Sequence, residues 1–166
     1  KRQAISFVLK EVKLRYFGQV ERIIDLGAGT GAGVIAAREV FSYFSETLLV
    51  ESNPHMRREG KKFVDGQWVN QDLLKYSPPK TDCIVFGYSY GELEEEKRLL
   101  LLQKVYKSAN LIVIVEPGTP RGYANVLEAR NFLLSCGGKM VAPCPHENSC
   151  PMKKEDWCHF SVRLSR

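Results

Sequence analysis

The sequence predicts a doubly wound α/β domain whose sheet is mostly parallel, and three observations carry that prediction. Short apolar runs alternate with amphipathic stretches of helical length along the whole chain. The first such run, residues 22–26, feeds straight into a glycine-rich loop at 27–33, and the loop opens a helix. The second run ends on a single acid, Glu51, 26 residues after Asp25.

The elements follow in order. Ile5, Val8, Leu9, Val12 and Tyr16 recur at helical spacing and give a first amphipathic helix, which Gly18 ends. Residues 22–26 form the first strand. Residues 34–44 form a helix with Ala37, Val40, Phe41 and Phe44 on one face. Residues 47–51 are the second strand. Asn53-Pro54 then supplies an N-cap with proline at the first helical position, for a helix reaching residue 63. Residues 67–70 make a weaker third strand, and Pro78-Pro79 breaks the chain before a fourth at 82–86. The helix at 93–107 begins with Glu94-Glu95-Glu96, which suits the positive end of a helix dipole. Residues 111–115 are the fifth strand and the most apolar run. A helix at 122–135 ends at Cys136-Gly137-Gly138, and a sixth strand is expected at 139–142. No internal repeat, low-complexity tract or linker interrupts the pattern.

Composition bounds the function. With 166 residues, 44% hydrophobic and 26% charged, the chain suits one domain with a sizeable core. No apolar run approaches the roughly 18 residues of a membrane span. The sequence begins at Lys1 with no signal-peptide pattern, as a processed protein or a fragment of a longer one would. The net charge of +5 gathers in two places, Lys1, Arg2, Lys10, Lys13 and Arg15, and Arg57, Arg58, Lys61 and Lys62. Two solvated helix faces and two contacts for nucleic acid account for these clusters equally well. Five cysteines is an odd count, which disfavours a disulfide framework and leaves reduced thiols or metal ligands.

The loop Asp25-Leu-Gly-Ala-Gly-Thr-Gly-Ala-Gly33 lies where backbone must turn tightly and approach a ligand. Glu51, at the tip of the second strand, is placed to accept both hydroxyls of a ribose. Two cofactors compete for this geometry. Gly27, Gly29 and Ala32 satisfy the dinucleotide pattern, with an acid downstream. Asp25, however, sits poorly beside a pyrophosphate and well beside a ligand bearing an ammonium and a sulfonium. Gly31 completes a G-x-G-x-G run that resembles the first motif of class I S-adenosylmethionine methyltransferases. S-adenosylmethionine is therefore the expected cofactor, with a nicotinamide cofactor or a ligand-free scaffold as the alternatives.

In an open parallel sheet, reacting groups stand at the carboxyl ends of the strands. Here those ends are residues 87–93, which include Tyr88, and residues 116–122. Asp72, after the third strand, is in position for an adenine amino group, although a solvated loop acid fits the same place. Asp25, Gly27, Gly29, Gly31, Glu51, Asp72 and Tyr88 form the expected cofactor set. The Asn-Pro-Pro-Tyr signature of amino-group methyltransferases is missing from 87–93, and no general base is identifiable. Methyl transfer draws much of its rate from positioning and has no strict need of one.

Cys144, Cys150 and Cys158 crowd the last stretch of the chain. Pro143-Cys144 resembles the nucleophile of cytosine-C5 methyltransferases, but it follows the sixth expected strand, not the fourth or fifth, so a metal ligand explains it better. The spacing matches neither zinc ribbons and fingers nor ferredoxins. Thiolates suit zinc and iron alike, and spacing does not choose between them. His146 and His159 are alternative ligands, and Cys83, within the fourth strand, is expected to be buried and inert.

Taken together these stretches resemble the methyltransferase-like proteins of the small ribosomal subunit, a family of mitochondria and some bacteria. The matching residues are 25–31, Tyr-Ser-Tyr-Gly-Glu-Leu at 88–93 and Val-Glu-Pro-Gly-Thr-Pro-Arg-Gly at 115–122. Leu-Glu-Ala-Arg at 127–130 and Ala-Pro-Cys-Pro-His-Glu at 142–147 complete the set. The resemblance implies a fold of the class I methyltransferase type, with a Cys-rich metal-binding insertion at 143–159 after strand six. It also implies that residues 1–20 end a helical N-terminal region, and that 1–166 is the methyltransferase-like part of a longer chain.

The function implied is assembly of the small ribosomal subunit, with rRNA and ribosomal proteins as partners and the protein a monomer on the particle. The place implied is the mitochondrial matrix, or the cytoplasm of a bacterium. The resemblance further implies a [4Fe–4S] cluster on Cys144, Cys150 and Cys158, with zinc as the alternative. The fourth cysteine is expected beyond Arg166, and Cys136 is the fallback. Methyl transfer to rRNA and a purely structural role in assembly both remain open to such a protein. The competing class is an NAD-dependent oxidoreductase or a ligand-free Rossmann-like scaffold with structural zinc.

Overall fold

The computed structural model describes residues 1–161. Its elements run α1 (Arg2–Arg15), β1 (Arg22–Leu26), α2 (Ala32–Val40), β2 (Glu46–Val50), α3 (Pro54–Gly60), β3 (Gln67–Val69) and β4 (Thr81–Gly87). A single 3-10 turn at Tyr90–Glu92 leads to α4 (Glu95–Ser108), β5 (Ala109–Val115) and α5 (Pro120–Ser135). The five strands form one sheet in the order β3-β2-β1-β4-β5, and every pairing is parallel. Expectation and structure agree on the doubly wound α/β class.

Alternate side chains of each strand go to opposite faces, so the apolar runs supply two cores at once. On one face Ile23, Cys83, Val85, Leu111, Val113 and Val115 meet Ile5, Leu9 and Val12 of α1 and Ala36, Ala37 and Val40 of α2. On the other, Ile24, Leu26, Ile84 and Phe86 meet Leu101, Leu102 and Val105 of α4 and Ala129 of α5. The helical spacing of the α1 residues is thus explained by a place in the sheet's own core. Cys83 is fully buried there, and burial pushes its thiol up to about 12, which makes it inert.

Local chemistry sets the helix ends. Asn53 caps α3 through its side-chain oxygen, which accepts from the amides of His55 and Met56, with Pro54 in the first turn. Thr119 does the same for α5 by accepting from Gly122 N. Two helices are shorter than their sequence pattern. α2 stops at Val40 because Phe41 is extended, and α3 stops at Gly60, short of residue 63.

The expected sixth strand does not form among the described residues. Residues 138–141 carry no regular structure. The run is short and lies between Gly137-Gly138 and Pro143. It is tied to a side chain in place of a neighbouring strand: Glu147 accepts from Met140 N and pairs with Lys139 Nζ at 3.3 Å. The Cys-rich stretch therefore follows α5, not a sixth strand.

Candidate functional site

The strand order reverses direction at β1 and β4, and ligands of open α/β sheets bind in the crevice at the carboxyl ends of such a pair. The glycine loop leaves β1 at this point. Its backbone is tied to the next strand, with Gly27 N and Ala28 N both donating to Val50 O at 2.9 and 3.0 Å. Gly27, Gly29 and Gly31 have φ of 73°, 55° and 87°. Gly31 packs against Val64 so closely that a Cβ would stand 2.7 Å from Val64 Cγ2, whereas a Cβ on Gly29 would meet nothing within 4 Å. Gly31 is thus a packing requirement, and Gly29 borders open space.

Glu51 stands at the end of β2 with both carboxylate oxygens braced by backbone. Gly29 N donates to Oε2 and Asn53 N to Oε1, each at 2.8 Å. A carboxylate offers about four acceptor positions, so two stay available to hydroxyl donors. Asp25 is 1% exposed and lies beneath the start of α2, where Val34 N donates to Oδ2 at 3.2 Å. Burial raises its pKa to about 7, the amides of Val34 and Gly33 pull it down, and the charge of Glu51 adds to the rise. Asp25 therefore lies behind the loop while Glu51 faces the crevice.

Two of the expected cofactor residues stand apart from that pair. Asp72 is exposed and uses Oδ1 to accept from Leu74 N at 2.8 Å, a turn-forming bond. Tyr88, at the end of β4, is the one non-glycine residue of positive φ among those described, at 65°. That conformation is costly for a bulky side chain and clusters at functional sites. Tyr88 N donates to Val115 O, its ring packs with the α1 face of the core, and Lys1 Nζ lies 5.4 Å from the ring centre.

The loop after Tyr88 is held by residues that sequence reasoning passed over. Glu116, directly after β5, accepts from Gly91 N at 3.0 Å, and burial raises its pKa. Arg98 of α4 clamps Glu128 of α5 through Nε and Nη2, both at 2.9 Å, and donates through Nη1 to Leu93 O. Tyr90 OH donates to the same Glu128 carboxylate. Glu116 and Glu128 lie inside the stretches at 115–122 and 127–130, which was the available signal.

The Cys-rich stretch folds back over the first half of α5. Tyr123 OH lies 3.2 Å from Cys150 Sγ, and that bond is the first cause of a lowered Cys150 pKa. Burial raises Cys158, and the charges of Cys144 and Cys150 add to it; Tyr123 in turn feels all three sulfurs. Further along, Trp157 Nε1 donates to Gly118 O, fixing this segment beside the carboxyl end of β5. As the thiols stand, no group of three or more His, Cys, Asp or Glu side chains among the described residues is gathered into a metal shell. The chemistry of the donor set fits a thiophilic centre, for which thiolates are the preferred ligands. Cys136 does not join it. It caps the far end of α5, 13 residues beyond Tyr123, or about 20 Å along the helix axis.

Most of the clustered basic residues are partnered. Arg2 pairs with Glu39, Arg15 with Glu11, and Arg58 and Lys62 with Glu59. Lys13 donates to Val40 O, and Arg57 to the carbonyls of Glu51 and Ser52. Among the described residues no helix is long and apolar enough to cross a membrane.

The family model described as mitochondrial small ribosomal subunit Rsm22 matches residues 3–166. The chain belongs to the Rsm22 family. Among its relatives is the human mitochondrial ribosome assembly protein METTL17, 26% identical over 182 residues, which cover 95% of this chain and 40% of that protein. Another is the mitochondrial Rsm22-cox11 tandem protein 2 of Schizosaccharomyces pombe, 28% identical over 167 residues, covering 86% of this chain and 22% of the relative. The chain thus spans about two fifths of the human relative and about a fifth of the yeast one. The Rsm22 family and these relatives are mitochondrial, in accord with the mitochondrial of the two expected locations.

Solved structures share the fold at low identity. The plantazolicin methyltransferase BpumL, solved with SAH, aligns at TM-score 0.58 and 14% identity over 77% of this chain and 51% of its own. A TehB-like S-adenosylmethionine-dependent methyltransferase of Corynebacterium glutamicum aligns at 0.55 and 20% identity, covering 74% of this chain and 71% of that one. The class I methyltransferase fold is therefore the architecture of this Rsm22 chain.

Proposed function

We propose that this chain is the S-adenosylmethionine-binding part of an assembly factor for the mitochondrial small ribosomal subunit, one that contacts small-subunit rRNA and ribosomal proteins. The observation that carries the cofactor reading is the Glu51 carboxylate. It is braced by Gly29 N and Asn53 N at the carboxyl end of β2 and faces a loop whose middle glycine borders open space. In this reading Glu51 holds the ribose, Gly27, Gly29 and Gly31 line the path of the ligand, and Asp25 orients the loop behind the methionine end. Asp72, after β3, is the residue for the adenine amino group, and Tyr88, at the end of β4, completes the set. Residues 1–166 then act as a methyltransferase-like domain, with 1–20 ending a helical region and 143–159 forming the metal-binding segment.

The second part of the proposal is a [4Fe–4S] cluster on Cys144, Cys150 and Cys158, with zinc as the alternative. The contact of Tyr123 with Cys150 and the thiol-rich donor set support it. The group would cross-link a stretch that has no strand or helix of its own, so its chemistry there is structural. Neither part requires methyl transfer. A chain of this fold can grip RNA as a platform without transferring a methyl group, since fold does not fix function.

Calorimetry of the full-length protein with S-adenosylmethionine and with NAD separates the cofactor classes. Micromolar binding of the first and none of the second is expected, and the reverse result refutes the assignment. Small-subunit rRNA methylation compared with and without the protein, and with Glu51→Ala, then separates an enzyme from a platform. RNA binding in either case should weaken steeply with salt, because lysines and arginines displace counterions from phosphates.

A further inference from the structure

Four lysines scattered through the sequence, Lys75, Lys80, Lys104 and Lys107, come together at the amino end of the sheet. Lys80 directly precedes β4 and Lys107 lies two residues before β5, and Thr81 and Ala109 face each other in that strand pair. Three bonds tie the chain before β4 to the last turn of α4. Lys104 Nζ donates to Leu74 O at 2.7 Å, Lys80 Nζ to Lys107 O at 2.6 Å, and Ser108 Oγ to Pro78 O at 2.9 Å. All four lysines are exposed, and every other exposed side chain of residues 73–81 and 103–110 is proline or an uncharged polar group. Among the described residues none of the four pairs with a carboxylate. Of the acids at the border, Asp72 has one oxygen on Leu74 N, and Glu46 acts on the buried Tyr76. The two basic clusters that run along the sequence differ in this respect, because Glu11, Glu39 and Glu59 offset them.

Gathered like charges repel one another, and a polyanion relieves that repulsion. Protein partners are met chiefly through aromatic, Met and Arg anchors, and lysine is depleted at such interfaces. No exposed large apolar side chain falls in either segment; along α4 the nearest is Leu100, one turn before Lys104. A phosphodiester backbone needs cations alone. Lys80 and Lys104 each spend one of three ammonium donors on a carbonyl, which leaves two for phosphate oxygens on a side chain already held in place.

We infer that this lysine patch grips the phosphodiester backbone of rRNA, at the end of the sheet opposite the cofactor crevice. This rests on the rRNA contact proposed above. β4 has seven residues, so the two sites lie roughly 20 Å apart, and RNA held at the patch leaves the crevice open.

The test uses the full-length protein with a transcript of mitochondrial small-subunit rRNA, and polyglutamate as an acidic-polypeptide probe. Lys75→Gln/Lys107→Gln removes the two ammonium groups that take no part in the three bonds, so those bonds stay. Lys10→Gln/Lys61→Gln removes the same charge from exposed lysines elsewhere. At about 50 mM salt the first variant should bind the transcript about tenfold more weakly than wild type. Its plot of log K against log salt should be flatter by about 1.4–1.8, from about 0.7–0.9 per lost phosphate contact. The second variant should stay within about twofold of wild type, and Lys75→Arg/Lys107→Arg, which keeps the charge, should match it. Equal losses in the two glutamine variants, or none in either, overturn the patch as the grip and leave rRNA binding standing. Polyglutamate that binds wild type as tightly as the transcript does, and is lost in the first variant, gives the patch to an acidic protein and overturns the inference. A wild type that binds no transcript overturns the rRNA reading as well.

Discussion

Asp25→Asn should reverse the sign of its effect on stability as pH rises. The folded state raises the pKa of this carboxyl from 3.8 to about 7, chiefly by burial. A raised pKa means that the folded protein holds the proton more tightly than the unfolded chain does. The group therefore carries no penalty below the unfolded value, and stability falls progressively as pH rises from 3.8 through about 7. A shift of about three units, at about 1.4 kcal/mol each, sets a ceiling of roughly 4 kcal/mol on that loss. Asparagine cannot ionise and keeps one acceptor for Val34 N, so it gives up one hydrogen bond at a fixed cost of about 1 kcal/mol. Wild type should be the more stable protein at about pH 3.5 and the variant from about pH 5 upward. The curves cross at about pH 4.5, where a loss of about 1.4 kcal/mol per unit above 3.8 overtakes the cost of the missing bond. Urea unfolding at a series of pH values from about 3.5 to about 8 (~0.5 unit apart) measures the difference directly. Groups whose pKa is lowered on folding, such as Asp82 and Glu128, act alike in both proteins and cancel. A stability difference that stays constant across the range refutes the buried, costly ionisation of Asp25.

Gly29→Ala should cost only about 1 kcal/mol of stability, the price of positive φ alone, yet lower S-adenosylmethionine affinity at least tenfold by calorimetry. Gly31→Ala should cost more, roughly 2–3 kcal/mol in thermal melts, because Val64 must also move. Arg98→Ala should destabilise by about 3 kcal/mol in urea, since it strands the Glu128 carboxylate in a half-buried site. Tyr123→Phe should raise the Cys150 pKa and slow alkylation of that thiol several-fold at pH 8 in metal-free protein, read by peptide mass spectrometry. An unchanged rate would show that the hydroxyl does not govern that thiol.

The parts of the fold set by local pattern were legible. Apolar runs gave the strands, Asn53-Pro54 gave the start of α3, and the spacing from Asp25 to Glu51 placed both acids at adjoining strand ends. What misled was competition for the same residues. Lys139 to Ala142 is apolar enough for a strand, but its polar atoms go to Glu147. Phe41 and Phe44 continue the helical period of α2 yet pack on the core from extended chain. The clamps Glu116 and Arg98–Glu128 were illegible because each depends on a partner far along the chain, and a charged residue on a helix reads as solvated until that partner is known. Cys136 was a credible ligand by count alone, and the length of α5 removes it.

β5 has neighbours on both faces and along one edge, but no described strand pairs with its outer edge. Seven residues, Ala-Asn-Leu-Ile-Val-Ile-Val, thus present backbone donors and acceptors with little charge nearby to discourage another strand. In dilute buffer the net charge of +5 keeps copies apart. Salt shrinks that protection to a Debye length of about 8 Å at physiological strength, and edge-to-edge association becomes easier. The same salt weakens phosphate contacts. A titration meant to report release from RNA will therefore also report clumping of the protein, and the two must be told apart by light scattering before a slope is read as a number of ionic contacts.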